Sequence, residues 1–186
     1  MDAALDFDSA VLGGALPAGV EAALREAGAQ RGDAPRAMAA LMRAQALAPD
    51  HPAVLVAFYR HHFFGHRLDL ARGVARRALA VGAQALGLPP VWREVPKAPL
   101  PGARFEARTR FFLFVLKGYA YLSLRLADDT EARDALALLR ELDPQDCVGG
   151  ALLETVRQRA LQPEDDDIAA YVQVTGALAW SPVIAA

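Results

Sequence analysis

Residues 33–52 read DAPRAMAALMRAQALAPDHP, and the spacing within this stretch decides how the rest of the chain is read. Asp33 is a good helix N-cap, and Pro35 fits the first turn, where a missing N–H costs nothing. Helical period places Met38, Leu41, Met42 and Leu47 on one side. The helix stops before Pro49, after which Asp50 and Pro52 repeat the start signal. Within the helix, Ala37, Leu41, Ala44 and Pro49 follow at intervals of four, three and five residues. Small residues let a neighbouring helix approach, a large one fills the gap beside them, and proline ends the hairpin.

Working outward, alternating β-branched runs are absent, and alanine, leucine, arginine and glutamate, all strong helix formers, dominate. Pro, Gly and Asp divide the chain into helical blocks. The spacing predicts a short helix near Ala3–Leu12, then one over about Ala18–Gln30 with Val20, Ala23, Leu24 and Ala27 in helical period. After the quoted stretch come Ala53–Phe64, ended by Gly65, and Leu68–Leu86. Residues 87–104, GLPPVWREVPKAPLPGAR, carry Pro89, Pro90, Pro96, Pro99 and Pro101, a density that no regular helix survives. Helix is expected again over Phe105–Ala127, Glu131–Leu142, Cys147–Ala160 and Ile168–Trp180, with the acidic run Glu164–Asp167 before the last, where negative charge suits the helix dipole.

The small–large–small spacing recurs. Leu55, Phe58 and His62 are followed by Ala71 and Ala78, without the closing proline. Gly118 and Tyr121 are followed, after a two-residue insertion, by Ala132, Leu136, Leu139 and Pro144, with Leu139 in place of the usual small residue. From Val20 to Pro144 the chain therefore resembles the tetratricopeptide repeat family. The resemblance implies an all-α fold of antiparallel helical hairpins stacked as a short array, with extra C-terminal helices. It implies an N-terminal segment over 1–17, a repeat domain over 18–162 interrupted by the loop at 87–104, and a capping helix and tail over 163–186.

Composition narrows the function. The chain of 186 residues is 54% hydrophobic and 23% charged, enough for a sizeable core. A net charge of −2 carries no global basic excess for nucleic acid. With Cys147 alone, no disulfide can form within the chain, and a reducing compartment is expected. The N-terminus holds Asp2, Asp6 and Asp8 and no early Lys or Arg, the reverse of a secretory signal. Phe111–Leu126, FFLFVLKGYAYLSLRL, is interrupted by Lys117 and Arg125 and falls short of the roughly 20 apolar residues that span a bilayer, so it reads as a buried central helix. A cytoplasmic location follows, with no membrane partner.

Stacked hairpins leave a concave face lined by first helices. Ligand-contact positions in tetratricopeptide domains fall on Val56, Arg60, Phe63 and Phe64 of the second repeat and on Phe112, Val115, Tyr119 and Leu122 of the third. Such a groove is apolar and aromatic with one cation, suited to a peptide or helix. The competing reading of an aromatic stripe is plain core. Trp92, Val91 and Val95 of the proline-rich stretch are a candidate lid or plug against Phe111–Phe114. His61, His62 and His66 cluster at a helix end, with His62 and His66 four apart, but no Glu lies between them as in HExxH and Gly65 interrupts the helix. They read as partly exposed histidines beside aromatics, not as a metal site. Arg60, Arg67, Arg72, Arg76 and Arg77 form a locally basic segment, a solvated face or a surface for an acidic partner, including the chain's own Glu164–Asp167. Cys147 reads as a structural, half-buried thiol.

These readings point to a non-enzymatic adaptor or assembly chaperone that needs no cofactor and holds a protein or peptide segment, with a homodimer as a further arrangement. Three alternatives stand beside it. One is a chaperone like the small tetratricopeptide chaperones of bacterial secretion systems. Another is a small-ligand receptor or enzyme with a pocket under the proline-rich stretch. The third is an accessory factor in a metalloenzyme pathway, because HHFFGHRLDLARGVARRAL with the following LGLPPVWREV is similar to small helical-repeat proteins associated with nitrogen fixation.

Overall fold

A computed structural model describes residues 16–160. The helices expected at Ala3–Leu12 and Ile168–Trp180, and the acidic run Glu164–Asp167, lie outside them. The described residues are all-helical, with no strand. The chain divides into two compact units, Met1–Val95 and Pro96–Ala186. The division falls inside the proline-rich stretch, so a domain drawn over 18–162 takes in parts of both units. No helix among the described residues is long and apolar enough to cross a membrane.

The first unit holds α1 (Ala18–Ala29), α2 (Ala34–Leu47), α3 (Pro52–Phe64) and α4 (Leu68–Ala85). Helices α1 and α2 form one hairpin and α3 and α4 a second, and α3 also touches both α2 and α1. The shared core is mostly small: Val20, Ala23 and Ala27 from α1, Ala40, Leu41 and Ala44 from α2, Val54 and Phe58 from α3. Met42 and Leu47 depart from the expected apolar side, at 60% and 61% exposed. The alanines at 37, 40 and 44 let α2 lie close to its neighbours, and that seam takes the place of the larger side chains.

Two N-caps show how local chemistry sets the boundaries. The Asp33 carboxylate accepts the Arg36 N–H at 3.1 Å, as the sequence predicts. At α3 the cap is His51, whose Nδ1 accepts the Ala53 N–H at 3.2 Å. Asp50, the expected start signal, instead pairs with Arg77 of α4 at 2.8 Å. A short 3-10 turn, Trp92–Glu94, packs against α4 and buries Trp92, with the Arg93 guanidinium 4.2 Å above its ring.

The second unit holds α5 (Ala107–Arg125), α6 (Asp129–Leu142) and α7 (Gly150–Ala160). Helices α5 and α6 form a hairpin, and α7 touches both, as α3 touches α2 and α1. The later part of the proline-rich stretch is tied here: the Leu100 N–H donates to the Leu142 carbonyl at 2.9 Å, and Thr109 Oγ1 donates to the Pro101 carbonyl at 3.1 Å. Helix α5 is buried over most of its circumference; Phe111, Phe112, Leu113, Val115, Leu116, Tyr119, Ala120, Tyr121 and Leu122 are each at most 1% exposed, while Arg110, Phe114, Lys117, Leu124 and Arg125 share one half-buried side. Lys117 resolves its own burial by donating to the Val148 carbonyl at 2.6 Å and lying 5.3 Å from the Phe114 ring.

One hairpin in each unit, α3–α4 and α5–α6, turns in the same way. After α3, His66 adopts φ 55° and the Arg67 N–H reaches back to the His62 carbonyl at 2.9 Å. After α5, Ala127 adopts φ 58° and the Asp128 N–H reaches the Ser123 carbonyl at 2.9 Å. This left-handed closure usually carries glycine, because a Cβ there costs about 1–2 kcal/mol. Ala127 is exposed, so Ala127→Gly removes no packing. Relief of the left-handed strain exceeds the added freedom of the unfolded glycine, and the variant is expected to gain about 0.5–1 kcal/mol in urea unfolding. A loss would show that the alanine is not strained.

Candidate partner-binding face

Helix α3 reads PAVLVAFYRHHFF, and its two sides have different fates. Pro52, Val54, Leu55, Phe58, Tyr59 and His62 are buried. Val56 and Phe63 are half-buried, Arg60 is exposed and Phe64 is 61% exposed. Positions 56, 60, 63 and 64 share one helical face, so the structure brings the four α3 residues read from the sequence onto one open side.

The aromatic side chains of that side are held by one another. Phe63 stacks on Tyr59 with ring centroids 5.8 Å apart and planes 6° from parallel. Phe64 meets Phe63 edge-on at 5.4 Å. The chain then turns at Gly65, where an added Cβ would come within 3.0 Å of the His61 carbonyl and 3.3 Å of the Arg67 guanidinium. Arg67 is thus folded back over the end of α3. The sequence places it only within a basic segment; the signal that could place it further is the FFGHR turn, whose left-handed residue sends the chain back over the helix end.

The histidines behind this face are held uncharged. Burial lowers the His51 pKa, and its Nδ1 is an acceptor, which requires the neutral ring. Burial and then the positive charge of Arg67 lower that of His61. Burial, Arg67 and His61 together lower that of His62. The two rings sit edge to face at 5.6 Å, and His61 Nε2 and His62 Nδ1 are buried without a hydrogen-bond partner among the described residues. His66 lies beyond the end of α3 in the left-handed turn, off the helix face that carries His62. Among the described residues no group of three or more His, Cys, Asp or Glu side chains could hold a metal ion.

The other four sequence-derived positions have a different setting. Phe112, Val115, Tyr119 and Leu122 are each 0% exposed, and the Tyr119 hydroxyl donates to Glu131 of α6. They are enclosed and present no open groove. Cys147 is exposed, not half-buried as expected. Local desolvation and the neighbouring Asp143 raise its thiol pKa, which keeps it in the less reactive protonated form at neutral pH.

No protein-family model matches the chain, and no solved structure matches it. The chain is 38% identical over 150 residues to the "uncharacterized 19.8 kDa protein in nifW 5′ region" of Azotobacter chroococcum mcd 1, an alignment covering 80% of this chain and 84% of that protein. The chain belongs to that protein's family. With most of both chains aligned, the likeness extends through both units rather than resting on one hairpin. The relative is bacterial.

Proposed function

We propose that this member of the family is a tetratricopeptide-like adaptor or assembly chaperone that holds a segment of a partner protein on the outer side of α3. The observation that carries this reading is Phe64, 61% exposed at the end of a helix whose opposite side is core. Water does not favour a bare phenyl ring; burying one in a partner is worth about 1.5–3 kcal/mol. The ring is already positioned by Phe63 and Tyr59, so little freedom is lost on binding. The repeated relation, in which α3 touches both helices before it and α7 does the same, supports hairpins of tetratricopeptide character.

The relative's position in a nifW 5′ region favours a narrower setting, that of an accessory protein to nitrogen fixation. A photo-crosslinking phenylalanine analogue placed at position 64 in the native host tests both levels. It is expected to trap a discrete partner that the same analogue at the exposed Glu141 does not trap. Equal trapping from both positions would remove α3 as the binding face. Trapping that is the same whether or not the host is fixing nitrogen would leave the adaptor reading standing and remove the narrower one.

A further inference from the structure

We infer that the segment held at the α3–α4 turn is acidic and apolar: a short peptide in which carboxylates flank a large apolar side chain. This deepens the proposed function and rests on it. Four other arginines of the first unit are matched to carboxylates: Arg25 to Glu21, Arg36 to Asp33, Arg43 to Glu26 and Arg77 to Asp50. Arg60 and Arg67 form no ion pair with the described residues, and both are exposed. The two cations flank Phe64 along the chain. Arg60 precedes Phe64 by one helical turn, and the Arg67 guanidinium lies over the adjoining row formed by His61 and Gly65. Burial and the Arg67 charge keep His61 neutral, so it does not join the cations. Asp69, in the first turn of α4, is the nearest carboxylate in sequence and pairs with neither arginine.

The rest of the turn suits the same guest. Leu70, 53% exposed, adds a second apolar side chain just past the turn. The backbone between Phe64 and Leu70 is fixed by the Gly65 N–H on the His61 carbonyl at 3.1 Å, the His66 N–H on the Phe63 carbonyl at 3.0 Å and the Arg67 N–H on the His62 carbonyl at 2.9 Å. A phenyl ring with one uncommitted arginine a helical turn before it and another on the fixed turn after it matches a carboxylate–apolar–carboxylate pattern, since guanidinium recognises carboxylates in a forked geometry and also lies flat on aromatic rings.

The test uses the full chain and three fluorescein-labelled hexapeptide amides: Glu-Glu-Leu-Phe-Glu-Glu, Ser-Ser-Leu-Phe-Ser-Ser and Lys-Lys-Leu-Phe-Lys-Lys. Fluorescence anisotropy at low salt is expected to show the acidic peptide binding about tenfold or more tighter than the serine peptide, with the lysine peptide weakest. Raising the salt should shrink that preference. The double variant Arg60→Ser with Arg67→Ser should abolish the preference, and Phe64→Ala should weaken acidic and serine peptides alike, both variants keeping wild-type circular dichroism. Equal affinity for acidic and serine peptides, both dependent on Phe64, would overturn the acidic guest while leaving α3 as the face. Acidic-peptide binding indifferent to Phe64 would overturn the face itself, as would failure of all three peptides to bind. Displacement by an oligothymidine that depends on the two arginines and not on Phe64 would reassign the turn to phosphate and overturn the inference.

Discussion

Replacing Phe112 with alanine should destabilise the second unit by about 3–5 kcal/mol, a large fraction of what holds a domain of this size folded. The side chain is 0% exposed on the enclosed side of its helix, so its removal loses the transfer free energy of the ring and leaves a cavity that the neighbours fill only in part. Phe64→Ala, at a side chain 61% exposed, should change unfolding by no more than about 0.5 kcal/mol. Urea denaturation followed by circular dichroism measures both. The contrast separates two residues that look alike in sequence, a phenylalanine of the core and one offered outward. Similar small losses at both positions would mean that α5 is not the packed centre of its unit.

Acid is the second strong lever. Burial lowers the pKa values of His51, His61 and His62, with Arg67 adding to the effect at the last two. Below the ordinary imidazole pKa near 6.5 the unfolded chain therefore takes up protons that the folded chain refuses. The contribution is complete above that pH and is lost as pH falls toward the depressed folded-state values. Each pH unit of depression corresponds to about 1.4 kcal/mol. Melting temperature should hold between pH 8 and 7 and drop between pH 6.5 and 5. His62→Leu should flatten that drop, since the imidazole has Nδ1 buried without a described partner and loses little by becoming apolar. Glu154 works in a separate window: its hydrogen bond from Arg157 lowers its pKa, so its contribution is lost only below the ordinary glutamate range. A flat profile from pH 7 to 5 would show that the three histidines are not held neutral by the fold.

What the sequence made legible follows from how far each signal reaches. The Asp33 cap and the Ala37–Leu41–Ala44 seam depend on a few neighbouring residues and on one helical period, and the structure has both. Met42 and Leu47 sit close to that period too, and only the identity of the partner helices could show that alanines would take the seam. Asp50 is a good cap by type, yet Arg77, far along the chain, claims its carboxylate and leaves the cap to His51. The candidate face divides the same way. On α3 a single charged residue, Arg60, marks the open side, and Val56, Phe63 and Phe64 follow it by helical period. On α5 the charges Arg110, Lys117 and Arg125 mark a half-buried side in the same way, but the repeat positions Phe112, Val115, Tyr119 and Leu122 fall opposite those charges by helical period and are enclosed. The place of Arg67 over the end of α3 is not legible in the sequence, because a left-handed turn, not a helical period, brings it back beside Gly65.

The extensive burial of α5 has a consequence for synthesis. The ribosome delivers Phe111 to Leu122 before α6 and α7, whose contacts help cover them. A nascent chain that has reached only the Ala127 turn presents a cylinder greasy over most of its circumference, the kind of surface that draws chaperones or neighbouring chains. Its safety depends on the next three dozen or so residues arriving promptly (a few seconds at ordinary elongation rates of about 5–20 residues per second). Pauses placed just after that turn would therefore harm the cell's yield of this protein more than the same pauses placed after α4, whose outward side is already rich in arginine.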